Sequence, residues 1–395
     1  MKIVYILNTT NLANGASKSF VAMLEGLMQM GIQPLVVIPD RNGLYHTLTN
    51  MGVTTVVLDY RPCTYPTYLS TFVDYLKFIP RIFGRLYLNR RATKQLIVIL
   101  KEKRPDIIHT NVGVINIGYK AAKALGIPHI YHIREYGDRD FKQYYFPCHS
   151  RFIKQLEQPN SYSICITKDI QKHHKQAGKA TSIVIYDGIM HQKNTVPKQS
   201  TGNYFLYVGR IEPAKGIMFL LKAYNKYIKT TKTILPLHIV GDTSNSSYKR
   251  YVEKYVIDTG LNKNVIFWGE RNDVNNFYSQ AKAIIIPSRC EGFGLVMAEA
   301  MSCGCLAIGR NTGGTKEQMD NGVALSGKEI ALRFDSIEEL AKTLEQVTQE
   351  PVETFSQHCE NAFHTVNARY TVESNVKNVY NYYKGIYNGQ TNKTN

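Results

Sequence analysis

Two glutamates with seven residues between them, Glu291 and Glu299, sit in the stretch of the sequence richest in chemical signals. From Pro287 to Glu317 it reads PSRCEGFGLVMAEAMSCGCLAIGRNTGGTKE, with Gly292-Phe293-Gly294 directly after the first acid. A β-type apolar run, AIIIPS, precedes the motif, and a helix-type run, LVMAEAMSCG, follows it with Gly304 placed to end the helix. Glycines at such a turn let backbone approach a ligand, and the helix N-terminus offers unpaired N–H groups to an anion. Leu295 and Glu299 are four residues apart, so the second acid lies on the helical side that faces the ligand edge. A carboxylate there fits the paired hydroxyls of a ribose, and Glu291 in the loop fits those of a sugar. The bland alternative is a loop and helix with surface acids; the coincidence of strand, glycines and both acids favours a site.

A second element lies upstream. In YVGRIEPAKGI, Tyr207 to Ile217, a strand ends at Gly209, Arg210 follows, and Lys215 comes five residues later, before Gly216 opens a helix. Two cations at a helix entrance make a diphosphate clamp, Arg bonding bidentately and Lys acting as a point charge. In FWGERNDV, Trp268-Gly269 ends another strand, which places Glu270, Arg271 and Asn272 against a nucleotide base. Trp268 either stacks on the base or packs in the core.

The first half carries weaker signals. NTTNLANGASKSF follows the first strand, with Gly15 entering a helix beside Ser17 and Ser19; this is a phosphate turn or simple turn geometry. His109 in DIIHTN and His132 in YHIREY end strands, and a lone histidine is more often a satisfied structural residue than a functional one. Arg134 and Glu135 either meet an acceptor or pair with each other. Asp138-Arg139-Asp140 matches the DxD pattern that holds a divalent cation in another transferase architecture, but such triplets are common by chance. With Arg210 and Lys215 to neutralise a diphosphate, a metal there is redundant.

The paired elements resemble those of the family-4 retaining glycosyltransferases, whose second domain carries GR-x4-KG, E-x7-E and GG-x-x-E. Here these are Gly209-Arg210…Lys215-Gly216, Glu291…Glu299 and NTGGTKE, and the resemblance covers about half the chain. In the first domain it is looser, because Asn14 stands where the family has one of two glycines. The resemblance implies transfer of a hexose-type sugar with retention, from a nucleotide-sugar donor (a UDP-sugar by preference) and without metal or other cofactor. It implies Arg210 and Lys215 on the diphosphate, Glu291 on the sugar, Glu299 on the ribose and His132 supporting the transferred sugar. Donor contacts extend to Gly15, Glu270, Arg271, Gly292, Phe293, Gly294 and Leu295; Arg134, Glu135 and His109 are acceptor candidates. The acceptor is a glycan or lipid-linked saccharide of surface-polysaccharide assembly. The alternatives are a sugar-nucleotide epimerase of related fold and a non-catalytic partner that binds a sugar nucleotide.

Elements must position these residues. Runs such as KIVYIL, PLVVIP, TTVVLD, DIIHTN, HIYHI and SICIT alternate with amphipathic segments, the pattern of a parallel sheet wrapped by helices. A polar segment, residues 190–203, reads as a linker, after which YFLYVGR, PLHIVGD, NVIFWGE, AIIIPS and LAIGRN repeat the rhythm. The α/β fold expected is therefore GT-B: two Rossmann-like, doubly wound domains facing across a cleft, over 1–189 and 204–370. A C-terminal helix and tail, 371–395, possess the option of crossing back to the first domain. The 395-residue length suits two domains.

The net charge of +17 attracts nucleic acid, anionic lipid or sugar phosphates alike, but no nucleic-acid-reading motif is present. Between Thr64 and Arg104 the chain is rich in aromatic and basic residues; Lys77, Arg81 and Arg85 share a helical face, with Phe72, Leu76, Ile79, Phe83 and Leu86 beside them. That composition suits peripheral contact with an anionic membrane, or an ordinary solvated basic face. Seven irregularly spaced cysteines give no disulfide framework, and the Cys303/Cys305 pair lacks a zinc-spaced partner. With no signal-type N-terminus and no run of about 18 apolar residues, the expected location is cytoplasmic, at most peripheral to the inner membrane face.

Overall fold

The computed structural model describes residues 1–12, 15–65, 73, 76–140, 142–243 and 245–394. The chain forms two units, Met1–Gly188 with Val372–Asn395, and Ile189–Thr371.

The first unit is built on strands β1 (Lys2–Ile6), β2 (Gln33–Ile38), β3 (Thr54–Val57), β4 (Ile107–Thr110), β5 (His129–Ile133), β6 (Ser161–Cys165) and β7 (Ser182–Val184). They pair in parallel in the order β3-β2-β1-β4-β5-β6-β7. The second unit has β8 (Phe205–Val208), β9 (Leu237–Val240), β10 (Val265–Gly269), β11 (Ala283–Ile286), β12 (Leu306–Arg310) and β13 (Leu332–Phe334), in the order β10-β9-β8-β11-β12-β13. Central strands buried on both faces read as continuous apolar runs; Ile107, Ile108, Ile284 and Ile285 are at most 1% exposed. Both sheets have the strand order of a Rossmann-like doubly wound domain.

The C-terminal helix, Val372–Thr394, belongs to the first unit. Val376, Val379, Tyr383 and Ile386 fall on one helical side and are buried in its core with Phe20, Met23 and Leu27. Gly26 permits this contact, since a Cβ there would lie 2.6 Å from Val376 Cγ2.

Residues 190–203 contain no regular element, and bonds to the rest of the second unit hold them. Ser200 is buried with Oγ donating 2.6 Å to Ala281 O, and Met190 bridges to Thr371. A segment with few apolar side chains can still be fixed by backbone and hydroxyl bonds, which polarity alone conceals.

The basic aromatic segment contains the helix Phe78–Lys103. Ala92, Leu96 and Leu100 bury its second half, whereas Ile79, Phe83 and Tyr87 are 62–67% exposed. Phe72 lies outside the described residues, as does Asn14. Among the described residues no helix is long and apolar enough to cross a membrane.

Candidate active site

In the second sheet the chain order reverses between β8 and β11, and ligands of open parallel sheets bind beyond the strand ends at such a point. After β8 the chain passes through Arg210 into a 3₁₀ turn, Pro213–Lys215, then through Gly216 into the helix Ile217–Thr230. Gly216 has φ +73°, and a Cβ on it would sit 2.1 Å from Pro287 O. Only glycine lets the turn after β8 close against the turn after β11.

This approach joins two of the expected site residues. Lys215 Nζ lies 2.8 and 2.9 Å from the two Glu291 oxygens, and Ser288 Oγ donates to Oε1 over 2.6 Å. The side chains are 27% and 15% exposed, so the charge-assisted bonds are largely shielded from water. Arg210 is half exposed, and its Nη1 lies 3.0 Å from Glu212 Oε1. Both cations of the expected clamp therefore carry a carboxylate, and the closest charged partner of Lys215 is the acid expected to hold the sugar.

The glutamate loop is fixed from behind. Gln318, on the helix Gly313–Ser326, donates to Phe293 O over 2.6 Å and to Gly294 O over 3.0 Å. Gly314 N donates to Glu291 O at 2.8 Å, and a Cβ on Gly314 would be 2.5 Å from Phe293 O. The NTGGTKE glycines thus serve close packing of one helix start against this loop. Phe293 was expected at the donor, but its side chain is 3% exposed and meets Tyr370 edge-on; only its backbone faces the loop. The helix Leu295–Ser302 follows, started by Gly294 at φ +92°. On it, Glu299 Oε2 accepts from Tyr278 OH over 2.9 Å, which orients the carboxylate.

Glu270 and Arg271 follow β10, the edge strand, with β9 between it and β8. Both are exposed, and Arg271 forks onto Asp273 at 2.9 and 3.0 Å. Trp268 is 41% exposed and edge-on to Phe277, so it is not a core residue. Gly15 begins the helix Gly15–Gln29 after β1.

In the first unit, His109 is a core residue rather than an acceptor contact. It is fully buried between Tyr5 and Tyr383, with Nδ1 2.6 Å from Tyr383 OH. His132, also fully buried, has no hydrogen-bond partner at either ring nitrogen among the described residues. Burial, then the Arg134 charge, holds its pKa well below the usual histidine value, so the ring is neutral. Arg134 and Glu135 do not pair through their side chains. Arg134 Nη1 forms a buried ion pair with both oxygens of Asp187, at 2.5 and 2.6 Å. Glu135 Oε1 accepts from Gly113 N and Val114 N at 2.8 and 3.2 Å, and Oε2 from Arg134 N at 3.2 Å. Burial pushes its pKa up to about 7, aided by Asp140 and opposed by these N–H bonds. Both side chains are at most 8% exposed and brace the turn after β5, which corrects their reading as acceptor contacts. Ser288, Tyr278, Gln318 and Asp187 gave no sequence signal, because each acts through a partner distant in the chain.

Two family models match the chain in succession. Glycosyltransferase Family 4 matches residues 13–193, and Glycosyl transferases group 1 matches residues 190–364. The chain belongs to the family-4 glycosyltransferases. This glycosyltransferase is 27% identical over 272 residues to an uncharacterized glycosyltransferase of Methanocaldococcus jannaschii, covering 65% of this chain and 73% of the relative. It is 24% identical over 371 residues to the UDP-Gal:α-D-GlcNAc-diphosphoundecaprenol α-1,3-galactosyltransferase of Escherichia coli, covering 88% and 91%. Two other relatives match over only 37% and 32% of their own length. The Anabaena Alr3699/HepE structure, in complex with UDP and glucose, superposes with a TM-score of 0.73 at 17% identity, over 96% of this chain and 98% of that one. The likeness establishes the GT-B fold of this glycosyltransferase.

Proposed function

We propose that this glycosyltransferase moves a hexose-type sugar from a UDP-sugar to a glycan or lipid-linked saccharide, with retention, in surface-polysaccharide assembly. The observation that carries the reading is the Lys215–Glu291–Ser288 group at the switch point of the second sheet, with Arg210 after the same strand as Lys215. The UDP complex of the Anabaena protein and the UDP-Gal and diphosphoundecaprenol in the name of the E. coli relative support the donor and acceptor classes.

On donor binding, Arg210 and Lys215 exchange their carboxylate partners for diphosphate oxygens and neutralise the charge that develops as the bond from the anomeric carbon to phosphate breaks. Glu291, still held by Ser288, is left to accept from sugar hydroxyls, and Glu299, oriented by Tyr278, takes the ribose. The acceptor hydroxyl attacks the face the diphosphate leaves, and its proton passes to the departing phosphate oxygen, so no separate general base is assigned. Metal is not required by this scheme, since two side-chain cations supply the charge. His132 is kept as a substrate contact of the first unit, because two unsatisfied buried nitrogens cost about 1–3 kcal/mol each unless a ligand meets them. The exposed Ile79, Phe83 and Tyr87, at helical spacing among basic residues, support peripheral contact with anionic membrane.

The test is thermal unfolding with a panel of nucleotides and nucleotide sugars, in EDTA and again with magnesium. A ligand at 100 times its Kd stabilises the native state by about 2.7 kcal/mol. Stabilisation by UDP in EDTA, lost in Arg210→Ala, is expected; no shift with any nucleotide would overturn the donor assignment.

A further inference from the structure

Three histidines of the first unit converge where the transfer chemistry assigns nothing. His149 opens the helix His149–Leu156, His173 ends the helix Lys168–His173, and His174 caps it. Each offers one ring nitrogen, and the three nitrogens all lie within 4.8 Å of one another. His149 Nε2 is 2.9 Å from His174 Nδ1, and His174 Nε2 is 2.9 Å from Glu135 O. A carbonyl only accepts, so His174 carries its proton on Nε2, and the Nδ1 lone pair points at His149. A metal-binding imidazole is held in this way, with the far N–H on a backbone carbonyl and the near nitrogen free. His149 donates from Nε2 to the His174 lone pair, and its ring must take the other tautomer for both nitrogens to face an ion.

His173 adds an independent observation. Its side chain is 9% exposed, and Nε2 is buried without a hydrogen-bond partner among the described residues. Asp138 Oδ1 lies 3.1 Å from that nitrogen, at an angle that makes no hydrogen bond. Asp138 is 43% exposed, so its carboxylate can turn inward. The other acid of the Asp138-Arg139-Asp140 triplet is already used, since Asp140 accepts from Tyr136 N and Gly137 N, each at 2.9 Å.

We propose that His149, His173, His174 and Asp138 bind one divalent transition-metal ion of the zinc type, in a structural site that ties the turn after β5 to the ends of two helices. Three imidazoles and a carboxylate make a four-ligand tetrahedral set, and the nitrogen majority selects against magnesium and calcium. Zinc–nitrogen bonds of about 2.0–2.1 Å place tetrahedral donors roughly 3.3 Å apart. The His149–His174 contact must open slightly, and the His173 ring must close in. The ion is structural because four protein side chains fill its coordination and leave no open position.

Untagged full-length protein, stripped with EDTA and exchanged into chelator-free buffer, is titrated with zinc chloride by calorimetry and with cobalt chloride by visible absorption. One ion per chain, the visible bands of tetrahedral cobalt, and a higher Tm with zinc are expected. Asp138→Asn and His149→Gln should each weaken zinc binding by about 10–100-fold or more, while His364→Gln, at an exposed histidine elsewhere, leaves it unchanged. Asp138→Asn keeps the test valid if His149→Gln folds poorly, because its side chain is partly solvated. Absence of saturable zinc uptake at micromolar concentration, or unchanged affinity in Asp138→Asn, would overturn the proposal and leave a hydrogen-bonded packing cluster.

Discussion

Lys215 and Glu291 satisfy one another, so removing either leaves a charge behind as well as deleting a contact. The two single variants separate their roles. Lys215→Met removes the cation that meets the diphosphate while Ser288 still holds Glu291; kcat should fall about 10²–10³-fold and UDP affinity should fall with it. Glu291→Gln keeps an acceptor for Ser288 and frees Lys215 for phosphate. It should lower kcat while UDP affinity holds or rises, both read by steady-state kinetics and calorimetry. Equal loss of UDP affinity in the two variants would mean that the pair only braces the loop. The residue types here were legible in the sequence, since GR-x4-KG and E-x7-E name Arg210, Lys215, Glu291 and Glu299 directly. Partner choice was not legible. Lys215 meets an acid 76 positions away, and Arg134 bypasses adjacent Glu135 for Asp187, 53 positions on, because strand adjacency rather than chain proximity decides which charges meet.

At the scale of elements, the strands most plainly readable were the buried central ones, where β-branched runs such as AIIIPS and DIIHTN leave no helical stripe. The edge strands β7 and β13 escaped the sequence reading because each has three residues, too few to show a period. The bonds that hold residues 190–203 escaped notice for a related reason, since a segment pinned by hydroxyl and backbone bonds has no apolar signature. The helix Phe78–Lys103 shows the reverse case, in which a pattern was visible but its direction was not. Lys77, Arg81 and Arg85 do follow one another at four-residue spacing, yet Arg85 Nη1 turns to Thr64 O at 2.7 Å, and Leu76, Ile79, Phe83 and Tyr87 beside them are exposed apolar positions. Burying an Ile or Phe side chain is worth about 1.5–3 kcal/mol, which corresponds to roughly 10–100-fold in binding for each. Ile79→Asp/Phe83→Asp should therefore abolish flotation with anionic vesicles at moderate salt and leave Tm within a few degrees, because neither side chain is in the core. Unchanged flotation would assign vesicle binding to net charge alone.

For the molecule as a whole, the two units differ most in how they store histidine. In the first, His109, His129 and His132 lie on adjacent central strands and are at most 1% exposed. Burial pushes the His129 pKa down to about 3 and holds the other two well below their ordinary value, whereas in the second unit His238 and His358 are only partly buried and shifted in the same direction. A histidine with a depressed folded-state pKa stabilises the fold fully above its unfolded pKa of about 6.5, and that stability is lost as pH falls, because the unfolded chain takes up the proton first. Each such ring costs up to about 1.4 kcal/mol per pH unit. Glu135, raised to about 7, works in the opposite sense between its unfolded pKa and neutrality, since its protonation favours the folded state and offsets one of the three rings. With His174, whose pKa burial also pushes down to about 3, the net expectation is that the first unit loses stability as pH falls below about 6.5, a sizeable effect against a typical domain stability of about 5–15 kcal/mol. Scanning calorimetry at pH 7.5 and 5.5 should show one transition moving down steeply and a second moving little. Added UDP identifies the second, because a ligand raises the Tm of the unit that binds it, and His129→Gln should flatten the slope of the first. Equal acid sensitivity of both transitions would show that the buried histidines of the first unit acquire protons without leaving the fold.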